Sequence, residues 1–172
     1  GSPAADSVPA QIAAGATVSV IGPSGEKLEK VENIPTGPSK TSLKNGELIS
    51  AVHIPARGKN AGDAYLRFIP RTEMDIAVVG CAVSLRLDNG IITEARVALG
   101  AVAPTVLLVD ECAEAIIGTK LDKEALKKLA QAAESACNPI DDKRGTIEFR
   151  TDIAGVLAVR TAKKAYDRAQ GK

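Results

Sequence analysis

Few side chains in this sequence could carry out chemistry by themselves. His53 is the only histidine, and the cysteines Cys81, Cys112 and Cys137 are odd in number and widely spaced. Zinc sites and nucleophilic triads need several such groups at set spacings, so we expect no metal site, and a triad would have to use the one histidine. The cysteines form neither a CxxC pair nor a disulfide framework, and we interpret them as buried thiols of a reducing cytoplasm.

One run combines charged residues with apolar segments: AYLRFIPRTEMDIAVVGCAVSLRLDNG, which covers residues 64–90. Arg67 and Arg71 end a short apolar segment, and Glu73 and Asp75 follow before the next apolar segment begins. Oppositely charged residues this close together are typical of a solvated surface or of a junction between domains. We interpret Arg71, Glu73 and Asp75 as such a cluster.

The overall composition is that of an ordinary globular protein, with 172 residues, 45% hydrophobic and 25% charged. A net charge of +1 and an aromatic content of 2% disfavour nucleic-acid binding, which uses basic surfaces and aromatic stacking. No apolar run approaches the about 20 residues of a membrane span, and no signal peptide is visible. We therefore expect a cytoplasmic protein that binds neither nucleic acid nor membrane.

The first third of the sequence predicts one helix and three strands. Pro3–Ala14 has the pattern of a short helix, with Ser2 as a plausible N-cap. Three β-rich segments follow, at residues 17–21, 27–31 and 48–54. Two glycines among the polar residues 56–62 indicate a boundary. We expect one domain at 1–58 and a second at 59–172.

The central part predicts a strand at 64–69 and then an amphipathic β-hairpin. Asp88-Asn89-Gly90 supplies the left-handed positions of a tight turn. Apolar residues alternate on both sides of it: Cys81, Val83, Leu85, Leu87, Ile91, Ala95, Val97 and Leu99. The opposite face carries Arg86, Glu94 and Arg96. This alternation predicts a sheet with one face covered.

The last third of the sequence is helical. Three aspartates precede apolar residues at helical spacing and are predicted as N-caps: Asp110, Asp122 and Asp152. Three strands followed by three helices indicate an α+β fold. We expect a three-stranded antiparallel sheet packed on a layer of three helices.

Three irregular segments, PAADSVPA, TGPSKTSLKNGELISAVHIP and AYLRFIPRTEMDIAVV, make the chain similar to a known family. It resembles the FAD-binding (medium) subunit of the molybdenum hydroxylases, the family of carbon monoxide dehydrogenase and xanthine dehydrogenase. The resemblance extends from Pro3 to about Ala169, and the segments occur in the same order. It implies the back part of an α/β FAD-binding domain followed by the whole C-terminal domain.

The resemblance also implies a role as an FAD-dependent oxidoreductase component. In this family a large subunit with the molybdenum cofactor oxidises the substrate, a small [2Fe-2S] subunit relays the electrons, and FAD passes them to an acceptor. Those two subunits would be the partners of this chain. No residue here would need to act as a general acid or base, because the flavin carries the redox chemistry.

Five residues are assigned to the flavin site by the resemblance: Ala5, Asp6, Leu48, Ile49 and Arg67. Asp6 would accept hydrogen bonds from ribityl hydroxyls, or would only stabilise the first turn of a helix. Leu48 and Ile49 would lie against the isoalloxazine ring, or would be ordinary strand residues. Arg67 stands where the family commonly has lysine, and would place a cation near the flavin or be a surface charge at a strand end.

Two glycine-rich loops that hold the FAD pyrophosphate in the family do not occur in these 172 residues. We therefore expect the chain by itself to bind FAD weakly or not at all, and not to be catalytically competent alone. The alternative function is a non-catalytic interaction or assembly module that no longer binds FAD by itself.

Overall fold

A computed structural model of the chain describes residues 1–71 and 75–172. Within these residues lie two main antiparallel sheets and four α-helices. A short pair of strands, β3 (Pro35–Gly37) and β4 (Lys40–Thr41), follows a 3-10 turn at Val31–Asn33. The predicted α+β architecture is therefore confirmed.

The first sheet has the strand order β2–β1–β5. Its strands lie close to the predicted segments: β1 (Thr17–Gly22), β2 (Gly25–Lys30) and β5 (Leu48–His53). The preceding helix α1 (Ser7–Ala13) is shorter than predicted, and Asp6, not Ser2, stands at its N-cap position. The carbonyl of Pro3 accepts a hydrogen bond from the backbone N–H of Ala101, 2.8 Å away, which ties the start of the chain to a residue distant in the sequence.

The two faces of this first sheet are covered unequally. Val18 and Val20 of β1 are buried in one cluster with Ile12 of α1. On the opposite face Ile21 pairs with Leu48, and Leu28 lies on the same side; their exposed fractions are 42%, 57% and 67%. These apolar side chains on one face of the sheet are therefore open to solvent within the described residues.

The second sheet has the order β6–β7–β8–β9. Its strands are β6 (Ala61–Phe68), β7 (Val79–Asp88), β8 (Ile91–Gly100) and β9 (Leu107–Leu108). The first three are the predicted strands, and the predicted turn has φ 49° at Asn89 and 79° at Gly90. The fourth strand, β9, is an addition, because two residues are too few to leave an alternating pattern in the sequence.

The alternation of β8 breaks near the turn, in contrast to the prediction. Ile92 is fully buried, whereas Ile91, predicted inside, is 39% exposed. The register shifts next to Arg86: Arg86 pairs with Glu94, but the following residue Leu87 pairs with Ile92. One extra residue in β8 forms a β-bulge and inverts the parity of the positions between the bulge and the turn.

Three helices lie on one side of the second sheet, as predicted: two pack on its strands, and the third packs on those two helices. They are α2 (Asp110–Glu114), α3 (Lys123–Ala136) and α4 (Ile147–Ala169). Asp122 caps α3 by accepting hydrogen bonds from the backbone N–H groups of Glu124 and Ala125, which confirms the prediction. None of the helices in the described parts of the chain is long and apolar enough to cross a membrane.

The other two predicted caps are wrong. Asp110 lies inside the first turn of α2, after Val109 at the N-cap position. Asp152 lies well inside α4, which Thr146 caps by accepting from the backbone N–H of Phe149 at 3.2 Å. The β-branched and aromatic residues at the start of α4 have low helix propensity, so the local sequence does not predict the first turn of this helix.

Helix α4 lies very close to the sheet because small residues face each other. A Cβ atom on Gly62 of β6 would stand 2.1 Å from the carbonyl oxygen of Ala165. Ala158, Ala162 and Ala165 are fully buried on the facing side of α4. The core lacks large aromatic residues and is filled by close approach of backbone and small side chains.

Contrary to the one-sided prediction, the second face of this sheet is also partly covered. Ala82 of β7 and Ala98 of β8 are buried together with Ile12 of α1. Helix α1 therefore packs on both sheets and connects the first part of the chain to the second. Beyond the end of α1 the face is polar, with Arg86 and Glu94 forming an exposed ion pair at 2.9 Å.

Candidate functional site

Asp6 occupies the N-cap position of α1 but does not cap the helix. Its side chain makes no hydrogen bond to the helix backbone. The carboxylate instead accepts from the hydroxyl of Tyr65 at Oδ1, 2.9 Å away, and from Nη1 of Arg67 at Oδ2. The alternative considered for Asp6 was that it only stabilises the first turn of the helix. The orientation of its side chain is instead set by Tyr65 and Arg67.

Tyr65 and Arg67 reach the same carboxylate because they lie two residues apart on β6. Side chains at i and i+2 of a strand share one face. On the neighbouring strand Tyr65 pairs with Ala82, and Arg67 pairs with Gly80. A Cβ on Gly80 would stand 2.9 Å from the Tyr65 hydroxyl oxygen, so the glycine leaves the room in which the tyrosine ring lies.

The three side chains differ in exposure. Tyr65 is half-buried and packs on the cluster that contains Ala82 and Ile12. The side chains of Arg67 and Asp6 are 33% and 46% exposed. Burial, and then the hydrogen bond to Asp6 and the negative charge of that carboxylate, raise the pKa of Tyr65 far above its usual value, so the phenol remains a hydrogen-bond donor.

The arrangement is thus an ion pair at the surface whose carboxylate is also held by a half-buried tyrosine. Arg67 uses one of its five N–H donors on Asp6. Each carboxylate oxygen keeps a lone pair beyond the bonds described. Asp6 can therefore accept hydrogen bonds from the hydroxyl groups of a ligand, and Arg67 can donate hydrogen bonds to oxygen atoms of the same ligand.

Leu48 and Ile49 lie on a different element, the strand β5 of the first sheet. Ile49 pairs with Val20, and Leu48 pairs with Ile21. Their exposed fractions are 57% and 41%, so neither is the buried core residue considered as the alternative. Ala5 lies in the turn before α1, where its N–H donates to the carbonyl of Ser2 at 3.3 Å.

The structure therefore joins two of the five predicted site residues, Asp6 and Arg67, in one ion pair. Leu48 and Ile49 are exposed on another sheet, and Ala5 is the chain neighbour of Asp6. Tyr65 was missed by the sequence reasoning. The spacing of Tyr65 and Arg67, two residues apart on a predicted strand, was a signal that could have placed them on one face.

The charge cluster predicted at Arg71, Glu73 and Asp75 is described in part. Asp75 Oδ2 accepts from Arg71 Nε at 3.4 Å, and Asp75 Oδ1 accepts from Arg144 Nε at 3.0 Å. The guanidinium of Arg144 holds the pKa of Asp75 below its usual range. The prediction for Glu73 lies outside the described residues.

A second polar network connects α4 to the sheet. Arg150 is buried, donates to the carbonyl of Val78 at 2.7 Å and pairs with Asp142 at 2.7 Å. Burial opposes ionisation of Asp142, but hydrogen bonds from the backbone of Arg144 and from Arg150 outweigh it and lower its pKa. These groups hold α4 against the sheet, with Arg150 buried and Asp142 partly exposed.

The cysteines and the histidine do not form a reactive site. Cys81 and Cys112 are buried, and burial raises the pKa of each thiol to about 12. Cys137 is half-buried, with its pKa raised by burial to about 11. His53 is hydrogen-bonded to the Ser19 hydroxyl at 2.8 Å. Among the described residues, no three histidine, cysteine or acidic side chains are grouped to hold a metal ion.

The two parts of the chain match two protein families. Residues 64–165 match the CO dehydrogenase flavoprotein C-terminal domain. Residues 1–57 match the FAD binding domain in molybdopterin dehydrogenase. Together the two matches cover nearly the whole chain, in the order that the sequence resemblance implies.

Individual relatives agree with these matches. The carbon monoxide dehydrogenase medium chain of Afipia carboxidovorans is 35% identical over 156 residues, which cover 91% of this chain and 54% of that protein. The xanthine dehydrogenase FAD-binding subunit of Escherichia coli O157:H7 is 29% identical over 173 residues, or 100% of this chain and 59% of that protein. The chain therefore spans between half and three fifths of the length of these relatives.

A solved structure shows the same fold. Carbon monoxide dehydrogenase from Hydrogenophaga pseudoflava, in a form that lacks the Mo-pyranopterin moiety, superposes on this chain with a TM-score of 0.94 at 32% identity. The superposition covers 98% of this chain and 58% of that one. Both sheets and the helices therefore follow one established architecture.

Proposed function

This chain belongs to the flavoprotein family that contains the carbon monoxide dehydrogenase medium chain and the xanthine dehydrogenase FAD-binding subunit, and we propose that it is part of the flavin-binding component of a molybdenum hydroxylase. In this proposal it helps to hold FAD, through which electrons pass from an iron–sulfur subunit to an acceptor. The observation that carries the proposal is the Asp6–Arg67 pair, in which two predicted flavin-site residues from distant parts of the sequence meet.

The chemistry of this pair fits the polar part of FAD. A carboxylate can accept hydrogen bonds from ribityl hydroxyls, and a guanidinium can donate to oxygen atoms of the ring or the phosphates. Both side chains are partly exposed, and the Asp6 carboxylate makes no hydrogen bond to the helix backbone. When bound, FAD itself supplies the redox chemistry, and the protein residues bind and orient it.

The pairing refines the role proposed for Arg67. A lone cation beside a flavin would stabilise negative charge on the ring. Here Asp6 neutralises much of that charge, so Arg67 acts in our proposal mainly as a directed hydrogen-bond donor. Leu48 and Ile49 would each supply an apolar contact, from opposite faces of β5, and their exposure in this chain supports contacts with a further group.

The wider assembly is part of the same proposal. The partners would be a molybdenum-binding large subunit and a [2Fe-2S] small subunit, because relatives of this chain are named as medium chains of such enzymes. We retain the division into domains at 1–58 and 59–172, which the two separate sheets support. A cytoplasmic location is supported by the buried free thiols of Cys81 and Cys112.

The test is to tag this chain in its native host and to purify the assembly that contains it. We expect flavin absorbance, with molybdenum and iron present in the same fraction. Asp6→Asn should lower the flavin content, because it removes the charge that holds Arg67. Glu94→Gln breaks another exposed arginine–carboxylate pair, with Arg86 at 2.9 Å, and should leave the flavin content unchanged. An assembly without flavin would refute the proposed function.

A second candidate function, a non-catalytic interaction or assembly module, is favoured by one observation. Ile21, Leu28 and Leu48 form an exposed apolar face on the first sheet, and such faces commonly bind other polypeptide segments. The two candidates differ in flavin binding. If the tagged chain co-purifies with subunits that contain molybdenum and iron, but the assembly contains no FAD, the interaction-module function is correct.

A further inference from the structure

The hydroxyl of Tyr65 makes one of the two described hydrogen bonds to the Asp6 carboxylate. We propose that Tyr65 is a positioning residue of the flavin site, which sets the orientation of the Asp6 carboxylate for the hydroxyl groups of the FAD ribityl chain. The inference rests on the proposed function. It adds a residue that is separated from Asp6 by 59 positions in the sequence.

The first step concerns what fixes Asp6. The residue precedes α1, and its side chain makes no bond to the helix. Its hydrogen-bond partners are Tyr65 at one oxygen and Arg67 at the other, both on β6. The orientation of the carboxylate is therefore set from the second sheet and not from its own helix.

The second step concerns which of the two partners is the fixed one. Tyr65 has two side-chain torsions, and its ring is half-buried between the space above Gly80 and the cluster around Ala82. Arg67 has a long side chain, 33% exposed, that can take several rotamers. Tyr65 therefore provides the rigid reference, and Arg67 follows the carboxylate.

The third step concerns the consequence for a ligand. With Tyr65 donating to Oδ1 and Arg67 to Oδ2, the remaining lone pairs of Asp6 have a defined direction. Without the phenol, the carboxylate is free to turn toward Arg67, and its lone pairs lose that direction. The loss of one hydrogen bond to a carboxylate then predicts FAD binding weaker by about three- to tenfold.

The experiment compares the two tyrosines of the chain in the purified flavin-containing assembly. Tyr65→Phe removes the hydroxyl that reaches Asp6. Tyr166→Phe is the matched control, because its hydroxyl also donates one hydrogen bond, to the Gly90 carbonyl at 2.7 Å, at the far end of the hairpin. We expect an increased FAD dissociation constant, measured by flavin fluorescence, for Tyr65→Phe only. Equal dissociation constants for both variants and the wild type would overturn the inference.

A double-mutant cycle separates positioning from a general loss of structure. If Tyr65 acts through Asp6, Tyr65→Phe should weaken FAD binding in the wild type but have little further effect in the Asp6→Asn background. Additive effects would show that Tyr65 does not act through Asp6 and would overturn the inference. The thermal midpoint of each variant is measured alongside, as the readout of stability alone.

Gly80→Ala provides a second route if Tyr65→Phe does not fold. The added methyl would meet the Tyr65 hydroxyl oxygen at 2.9 Å and displace it while the tyrosine remains. We expect the same weakening of FAD binding, and unchanged binding would overturn the inference. If wild-type assembly contains no flavin, the proposed function fails first, and this inference fails with it. If the wild type binds FAD and the variants bind it equally well, only the inference fails.

Discussion

Strands β5 and β7 are both rich in apolar residues, yet one is open and the other is enclosed. All six residues of β5 are exposed, including Leu48 and Val52. In β7 the five residues from Val79 to Val83 are buried, because α4 packs on one side and α1 on part of the other. An apolar strand pattern thus predicts a strand but not what covers it.

The same contrast holds for the two sheets as a whole. The second sheet has its own helices α2–α4, which bury its apolar face within the described residues. Among the described helices, the first sheet has α1 alone, which is shared with the second sheet, and Ile21, Leu28 and Leu48 remain exposed. The second sheet is therefore enclosed by its own helices, whereas the first leaves apolar side chains exposed within the described residues.

The largest effect that would test this contrast is expected in β7. Val83 is fully buried, so Val83→Asp would place an unpaired charge in the core at a cost of several kcal/mol. That cost is a large part of the total stability of a domain, about 5–15 kcal/mol. We expect this variant not to fold, as measured by circular dichroism.

The matched control for that substitution lies in β5. Leu48 is 57% exposed, so Leu48→Asp should change the free energy of unfolding by only about 0.5 kcal/mol or less. It should weaken flavin binding if the proposed site is correct. Equal loss of structure in the two variants would show that the first sheet is as enclosed as the second.

A smaller effect is expected where α4 meets β6. A Cβ on Gly62 would stand 2.1 Å from the backbone of Ala165, so Gly62→Ala forces the helix away and should cost about 1–3 kcal/mol or more. Urea denaturation measures this loss. Gly58→Ala is the control, because its Cβ would meet Arg86 at an ordinary 3.7 Å. A Gly62→Ala variant as stable as the wild type would contradict the close packing.

A further test, with a smaller expected effect than Gly62→Ala, compares ion pairs of the two regions and depends on pH. The folded pKa of Asp142 is lowered, so its pairing stabilises the protein above the unfolded pKa and is lost as pH falls through the folded value. Asp142→Asn should therefore cost about 1–2 kcal/mol near neutral pH, and this cost should shrink as the pH falls through the folded pKa of Asp142. Denaturation at neutral and at acid pH measures the difference.

The counterpart in the first sheet is the pair of Lys27 and Glu47 at 3.0 Å. The lysine is 48% exposed, and surface pairs of this kind contribute little. We expect Glu47→Gln to change stability less than Asp142→Asn at neutral pH. The reverse order would mean that the Asp142–Arg150 pair does not hold α4 to the sheet.

Local patterns in the sequence predicted much of the fold. The alternation around Asn89-Gly90 predicted the hairpin, and Asp122 was correctly predicted as the cap of α3. These features depend on a few neighbouring residues, so a single sequence contains the information. The bulge that exposes Ile91 and the early start of α4 at Thr146 were missed, because each depends on pairing or packing with residues elsewhere.

For the candidate site, the sequence determined the residue types and, through resemblance, drew attention to Asp6 and Arg67. Only the tertiary structure decided that they form a pair and that Tyr65 completes it. The physical reason is distance along the chain: Asp6 and its two partners are separated by 59 and 61 positions. Local pattern cannot specify such a contact, which exists only because α1 packs on the face of β7 and β8 and brings Asp6 over the end of β6.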